Sequence, residues 1–375
     1  MSEGVLEPPR RSGGRGRVAA GVVGGLVGLA AAGVAAGLAA ERTLLRRQKR
    51  VVGHDPYADE PFGELPADEY RTIVTAEGVP LHVEITAPRW GTGGQPRRRG
   101  AEVTVVFIHG FCLDMGTFHF QRQALSRVEG VRTVSYDQPG HGRSGRLEKG
   151  EYTLEMLASA LRKVIEECAP RDGAVVLFGH SMGGMAIMAL ADLVPELFTG
   201  SGRVAGVVLA NTSAGGVTFG LPEVVVRFRG RLLPLISGAG TATATVLDRA
   251  RASASDLAWL LTRRYGFGSE GGSPALVSYV EQMITATSTE SVARYMRALY
   301  SHDREPGLPV LKPVPVLLIA GEQDRVTPVE HSRAIARALP HAELAVIPGA
   351  GHVALVERGD DVNAVLLPFV RRIGA

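Results

Sequence analysis

Apolar residues along this chain gather into short runs at regular intervals, and the stretches between them carry helical spacing. Val103–Ile108, Val131–Tyr136, Ala174–Phe178, Val204–Ala210, Pro315–Ala320 and Glu343–Ile347 are rich in β-branched residues and bounded by Gly, Pro or Asp. Runs of this kind, alternating with amphipathic helical segments such as Val329–Leu339, predict a mostly parallel, doubly wound α/β sheet with helices on both faces. Ahead of them, Thr72–Thr75 and Leu81–Thr86 flank Glu77-Gly78 and predict an opening β-hairpin. The alternation breaks between about Ser213 and Pro309, where Gly-rich turns mix with helical patterns over Ser253–Arg264 and Ser291–Tyr300. That stretch reads as an insertion between the sixth and seventh strands.

The N-terminus obeys a different pattern. Residues 1–17 are rich in Pro, Gly and Arg and are expected to be a disordered basic tail. Val18–Ala40 then holds only Ala, Gly, Val and Leu, which is long enough to cross a bilayer core as a helix. Arg10, Arg11, Arg15 and Arg17 precede it, and Arg42, Arg46, Arg47, Lys49 and Arg50 follow. The expectation is a single-pass membrane anchor, with secretion after signal-peptide cleavage as the alternative. The basic clusters on the two sides are too alike to set an orientation. Residues 41–70 read as a basic and polar linker, and residues 71–375 as one domain.

Charge follows the same division. Residues 1–50 carry nine Lys and Arg against three Glu, whereas the whole chain has a net charge of +3. The basicity therefore lies at the membrane flanks, the remainder is slightly acidic, and nothing predicts nucleic-acid binding.

Candidate chemistry begins at Gly179-His180-Ser181-Met182-Gly183-Gly184, directly after the run ending in Phe178 and before the helical Ala186–Leu190. Strand, Gly-x-Ser-x-Gly and helix is the setting of a nucleophile elbow, which lifts a serine hydroxyl clear of the sheet. With 47 glycines in the chain, the pattern alone is weak. A serine nucleophile needs an imidazole to take its proton and an acid to orient that imidazole. In a doubly wound sheet they follow in the order acid, then histidine. Asp324 lies just past the run ending at Ala320, and His352 just past the run ending at Ile347. Both fall at the strand ends where Ser181 lies, the edge at which open α/β sheets bind ligands.

One loop adds a resemblance. Val103–Ile108 runs into His109-Gly110-Phe111-Cys112, and here the sequence resembles the α/β-hydrolase superfamily, over roughly Thr72 to the C-terminus. The resemblance implies an α/β-hydrolase fold with a helical cap made by the insertion. It also implies an oxyanion hole from the backbone N–H groups of Phe111 and Met182. His109, Gly110, Gly179, His180 and Gly183 are read as shaping the site, and Asp137–Ser144 as supporting it. Relatives that are dehalogenases or epoxide hydrolases use Asp at the elbow, where this chain has Ser181. The expectation is a membrane-anchored serine hydrolase of the carboxylesterase or lipase-like kind, acting on a small-molecule ester or lipid. An acyltransferase, a haloperoxidase-like or peptidase member of the same fold, and a catalytically silent binding protein remain open.

Other candidates read blandly. His302, His331 and His341 sit in polar contexts and are expected to be solvated. Cys112 reads as a small buried residue, and no disulfide with Cys168 is indicated. Glu322 and Asp303 compete poorly with Asp324 as the acid. Val224–Val226, Phe228, Leu232, Leu233 and Leu235 read as packing the insertion or lining a pocket. No spacing suggests a metal, and no glycine-rich phosphate or dinucleotide loop is present, so no cofactor is expected.

Overall fold

Each apolar run forms a strand. The computed structural model describes residues 55–90, 102–216, 261–269 and 272–374. Its strands are β1 (Glu69–Val74), β2 (Pro80–Thr86), β3 (Val103–Ile108), β4 (Val131–Tyr136), β5 (Ala174–His180), β6 (Val204–Ala210), β7 (Val316–Gly321) and β8 (Glu343–Ile347). They form one sheet in the order β1-β2-β4-β3-β5-β6-β7-β8. The hairpin β1–β2 joins β4 antiparallel, and every later pairing is parallel.

The period-2 alternation of each strand assigns its side chains to two cores. Val106, Ile108, Val175, Leu177, Val207, Leu209, Val316 and Leu318 share one. Their chain neighbours Val105, Phe107, Val176, Phe178, Val208, Ala210, Leu317 and Ile319 share the other. The first core is covered by α2 (Leu154–Cys168) and α3 (Met182–Leu193). The second is covered by α1 (His119–Leu125) together with α7 (Ala354–Glu357) and α8 (Gly359–Ile373). Strands apolar on both sides are what such a two-faced cover requires.

Between β6 and β7 lie α4 (Pro274–Ala286) and α5 (Thr289–Tyr300), begun by Ser273 and Ser288, whose hydroxyls accept from Leu276 N and Ser291 N. Between β7 and β8 lies α6 (Val329–Ala338). Helix α5 packs on the loop after β4: Tyr295 stacks on Tyr152 at 4.1 Å and its hydroxyl donates to Pro139 O at 2.7 Å. Within the stretch read as linker, Phe62 stacks on Tyr279 of α4 at 4.3 Å, and Glu60 lies 2.7 Å from His119 Nε2.

The Ser253–Arg264 pattern emerges in the described residues only at its end, as a π-helical turn over Thr262–Gly266. Val224–Val226, Phe228, Leu232, Leu233 and Leu235 lie outside the described residues, as do the tail 1–17 and the segment Val18–Ala40. Among the described residues no helix is long and apolar enough to cross a membrane.

Candidate active site

The turn from β5 into α3 is made by crowding. Ser181 takes φ 53°, ψ −117°, a conformation that costs a non-glycine residue on the order of 1–3 kcal/mol. Its N–H donates to Ala210 O at 2.9 Å, tying the turn to β6. A Cβ on Gly183 would lie 1.9 Å from Ile108 O, and one on Gly179 2.6 Å from Gly183 C. Only glycine lets α3 press this closely on the ends of β3 and β5.

Loops after β7 and β8 bring Asp324 and His352 to that turn. His352 Nε2 lies 3.0 Å from Ser181 Oγ, and His352 Nδ1 lies 2.9 Å from Asp324 Oδ2. All three residues are buried. Asp324 Oδ1 accepts from Val326 N and Thr327 N, at 2.7 and 2.9 Å. Burial by itself would raise the Asp324 pKa. The charge and hydrogen bond of His352, with hydrogen bonds from Asn211 and Thr327, outweigh it and hold the carboxyl below its ordinary 3.8. A hydroxyl, an imidazole in contact with it and a carboxylate that orients the imidazole are the parts from which a nucleophile, base and acid can be made.

The loop after β3 closes the other side. A Cβ on Gly110 would lie 2.9 Å from His180 Nδ1 and 3.1 Å from Ser181 Cβ, so glycine permits this approach. The N–H of Met182 begins α3 and has no acceptor within that helix. Neither it nor the N–H of Phe111 meets an acceptor among the described residues.

Two histidines fasten these loops as neutral rings. His109 Nε2 accepts from Gln138 N at 2.8 Å while Nδ1 faces Gly110 O at 2.8 Å. His141 Nε2 accepts from Cys112 N at 3.1 Å while Nδ1 faces Pro139 O at 3.0 Å. Burial pushes His109 down to about 4 and His141 to about 3. His180 is likewise pushed to about 3 by burial, and its Nε2 lies 2.9 Å from His352 O. Asp137 accepts from Met115 N and Arg143 N, fixing the loop after β4.

Three sequence readings are corrected. His302 is buried with Nε2 2.8 Å from Ser213 O, and His331 Nδ1 lies 2.8 Å from Ser213 Oγ. His341 is exposed, as expected, with Nε2 3.0 Å from Val314 O, whereas His302 and His331 are not simply solvated. Each fills the acceptor or donor of a neighbouring turn. Cys112 is half-buried rather than buried, and burial still pushes its thiol up to about 12. Cys112 and Cys168 are both free thiols. Glu322 is turned to Gly349 N at 2.9 Å, away from the imidazole.

Four contributors escaped the sequence reading. Asn211 Nδ2 donates to Asp324 Oδ2 at 2.8 Å and to Gly351 O at 3.2 Å. Thr327 Oγ1 lies 2.9 Å from Asp324 Oδ2 and 3.3 Å from His352 Nδ1. Thr212 Oγ1 donates to Ser181 O at 2.7 Å. Glu357 accepts from Gly268 N and Gly351 N, at 3.0 and 2.6 Å, joining the middle of the insertion to the His352 loop. The polar trio Asn211-Thr212-Ser213, following the all-apolar β6 at the same edge as Ser181, was the available signal. Among the described residues no cluster of His, Cys, Asp and Glu is arranged to hold a metal.

Comparisons with known proteins agree with this architecture. A model of the family described as "Alpha/beta hydrolase family" matches residues 105–365. The structure resembles that of a thermophilic esterase from Thermogutta terrifontis, with TM-score 0.62 and 25% identity, covering 82% of this chain and 100% of that one. A non-heme haloperoxidase of Rhodococcus erythropolis is 29% identical over 293 residues, 76% of this chain and 96% of its own. The dihydrolipoyllysine-residue acetyltransferase component of an acetoin cleaving system from Pseudomonas putida is 28% identical over 297 residues, 76% of this chain. The chain spans 66% of the length of that relative.

Proposed function

The chain belongs to the alpha/beta hydrolase family, and from that premise we propose that it cleaves carboxylic esters through an acyl-enzyme on Ser181. One observation carries the reading: His352 reaches Ser181 Oγ with one ring nitrogen and Asp324 with the other, at 3.0 and 2.9 Å. The similarity to the T. terrifontis esterase supports it.

Ser181 Oγ attacks the ester carbonyl carbon as its proton passes to His352 Nε2. Asp324 holds the Nδ1–H and stabilises the imidazolium. The carbonyl oxygen, now anionic, accepts from the N–H groups of Phe111 and Met182 at the head of α3, where the helix dipole adds to the attraction. Collapse of the tetrahedral species breaks the ester C–O bond, and the departing alkoxide takes the proton from Nε2. Water then attacks the acyl carbon while giving a proton to Nε2. The second collapse returns that proton to Ser181 Oγ and frees the acid.

The insertion, about 213–309, serves as a cap that excludes water and shapes the acyl pocket. The similarity to the P. putida acetyltransferase component supports a second outcome, in which an alcohol or amine takes the place of water. Val18–Ala40 anchors the chain in a membrane, supported by its uncharged composition and basic flanks.

The test is fluorophosphonate labelling and hydrolysis of a chain-length series of 4-nitrophenyl esters by the full chain and by Ser181→Ala. Labelling and hydrolysis confined to the wild type uphold the nucleophile. Labelling that survives the substitution removes Ser181 from the mechanism. Products formed with added alcohol separate hydrolysis from acyl transfer. For the anchor, the full chain should stay with carbonate-washed membranes with its N-terminus intact; release by the wash, or a mature chain starting after Ala40, overturns it.

A further inference from the structure

We propose that Asn211 is a positioning residue for the Asp324–His352 pair, setting the carboxylate and the histidine loop in register from the end of β6. The inference rests on the reading of Ser181, His352 and Asp324 given above. Asn211 follows β6, which lies between the strands that lead to Ser181 and Asp324. It is buried and has φ 45°, a left-handed conformation that glycine adopts without penalty. Its N–H donates to Ile319 O at 2.8 Å, which locks the backbone there against β7. For the backbone alone, glycine would serve; asparagine is among the few other residues that tolerate the region and it brings a side chain.

That side chain has two acceptors. Asp324 Oδ2 lies 2.8 Å and Gly351 O 3.2 Å from Asn211 Nδ2. Rotating the amide by half a turn would set Oδ1 against a carboxylate and a carbonyl oxygen, so these two neighbours fix its orientation. The division of labour at the carboxylate is then plain. Oδ1 is held by N–H groups of its own loop, whereas Oδ2 meets His352 Nδ1 and Thr327 Oγ1, both on the two loops being aligned, so a donor fixed outside those loops must come from elsewhere. Asn211 supplies that donor from a rigid strand end. Through Gly351 O the same amide spaces the residue next to His352 against the acid loop. Thr327 Oγ1, 2.8 Å from Asn211 O, joins the acid loop to the same residue. The amide does this without charge. A lysine or arginine here would neutralise Asp324 and weaken its hold on the imidazolium that forms in the reaction.

The experiment compares wild type, Asn211→Gly, Asn211→Asp and Ser181→Ala on 4-nitrophenyl butyrate, with kcat and KM measured across pH. Glycine keeps the backbone conformation, and aspartate keeps the shape while replacing the donor with an acceptor. Asn211→Gly is expected to lower kcat about 10- to 100-fold, the cost of a slightly misplaced catalytic group, with KM little changed. The acid limb of kcat/KM should move to higher pH, because a carboxylate stripped of a neutral donor binds the shared proton more tightly. Asn211→Asp should lower kcat further and move the limb in the same direction. Wild-type kcat and an unmoved limb in Asn211→Gly overturn the proposal. So does a loss of kcat in both variants with the limb unmoved, since that marks general structural damage. Ser181→Ala separates the two readings. Turnover that survives it defeats the Ser181 mechanism itself, whereas its loss beside an unaffected Asn211→Gly defeats only the role of Asn211.

Discussion

At the scale of single residues, the site is decided by which polar atoms find partners. Asp324 is buried yet ionised because its two oxygens receive donors from His352, Asn211, Thr327 and the backbone of its own loop. Converting it to an amide leaves the shape and reverses one hydrogen bond, so the imidazole is presented in the wrong tautomer. Asp324→Asn is therefore expected to lower kcat about 10³- to 10⁴-fold with KM little affected, measured on a short 4-nitrophenyl ester. A loss of less than tenfold would remove Asp324 from the relay. The same residue has a stability signature. Its folded pKa lies below 3.8, so the ionised form stabilises the fold above that pH and the benefit is lost as pH falls through the folded value. Wild type and Asp324→Asn should accordingly differ in melting temperature near neutrality and converge in strong acid.

At the scale of elements, what positions these atoms is the meeting of loops at one sheet edge. Gly266 O accepts from Val353 N at 2.8 Å, and Glu357 ties Gly268 N to Gly351 N, so the middle of the insertion is clasped to the histidine loop. A Cβ on Gly268 would stand 1.9 Å from Gly349 O, which shows how close the clasp is. Glu357→Ala leaves two N–H groups without that acceptor, at about 1–3 kcal/mol for each donor that stays buried. It should lower the melting temperature by several degrees and slow fluorophosphonate labelling of Ser181. Unchanged labelling would show that the insertion and the histidine loop are energetically independent. Little of this clasp was legible in the sequence. The strands were, because Val103–Ile108 or Val204–Ala210 bury both faces and so spell themselves out as apolar runs. The order of Ser181, Asp324 and His352 was legible too, because a parallel sheet puts every strand's C-terminal end on one edge. Asn211, Thr327 and Glu357 act through bonds between loops distant in sequence, and a single amide or hydroxyl carries no periodicity to betray it. His302 and His331 misled for the same reason: polar neighbours in the chain say nothing of a partner such as Ser213 reached through the fold.

At the scale of the whole molecule, the price of seating loops on neutral imidazoles is sensitivity to acid. His109 and His141 each use one nitrogen to accept an N–H, so a proton there must break a bond. Burial sets their folded values at about 4 and about 3, with His180 also at about 3, against 6.5 for a free ring. Between pH 6.5 and 4 the unfolded chain therefore binds protons that the folded chain refuses. Stability must fall as pH is lowered through that window, by at most about 1.4 kcal/mol per pH unit for each ring. His302 and His331, also lowered by burial, act in the same direction. Asp114 opposes them, since burial lifts its folded value to about 6 and the folded chain keeps that extra proton, and Asp137 is raised likewise. The histidines outnumber these two, so the balance favours unfolding in acid. Urea denaturation of the catalytic domain within the full chain, monitored by tryptophan fluorescence at pH 7, 6 and 5, should show a midpoint that drops with each step. Replacing His141 with Gln should lower stability at pH 7, because a loop bond is lost, yet flatten the decline, because one titrating ring is gone. A midpoint whose pH dependence from 7 to 5 is the same in wild type and in His141→Gln would mean that the His141 ring takes up its proton in the folded state, and that the loop it fastens is not held by a neutral histidine.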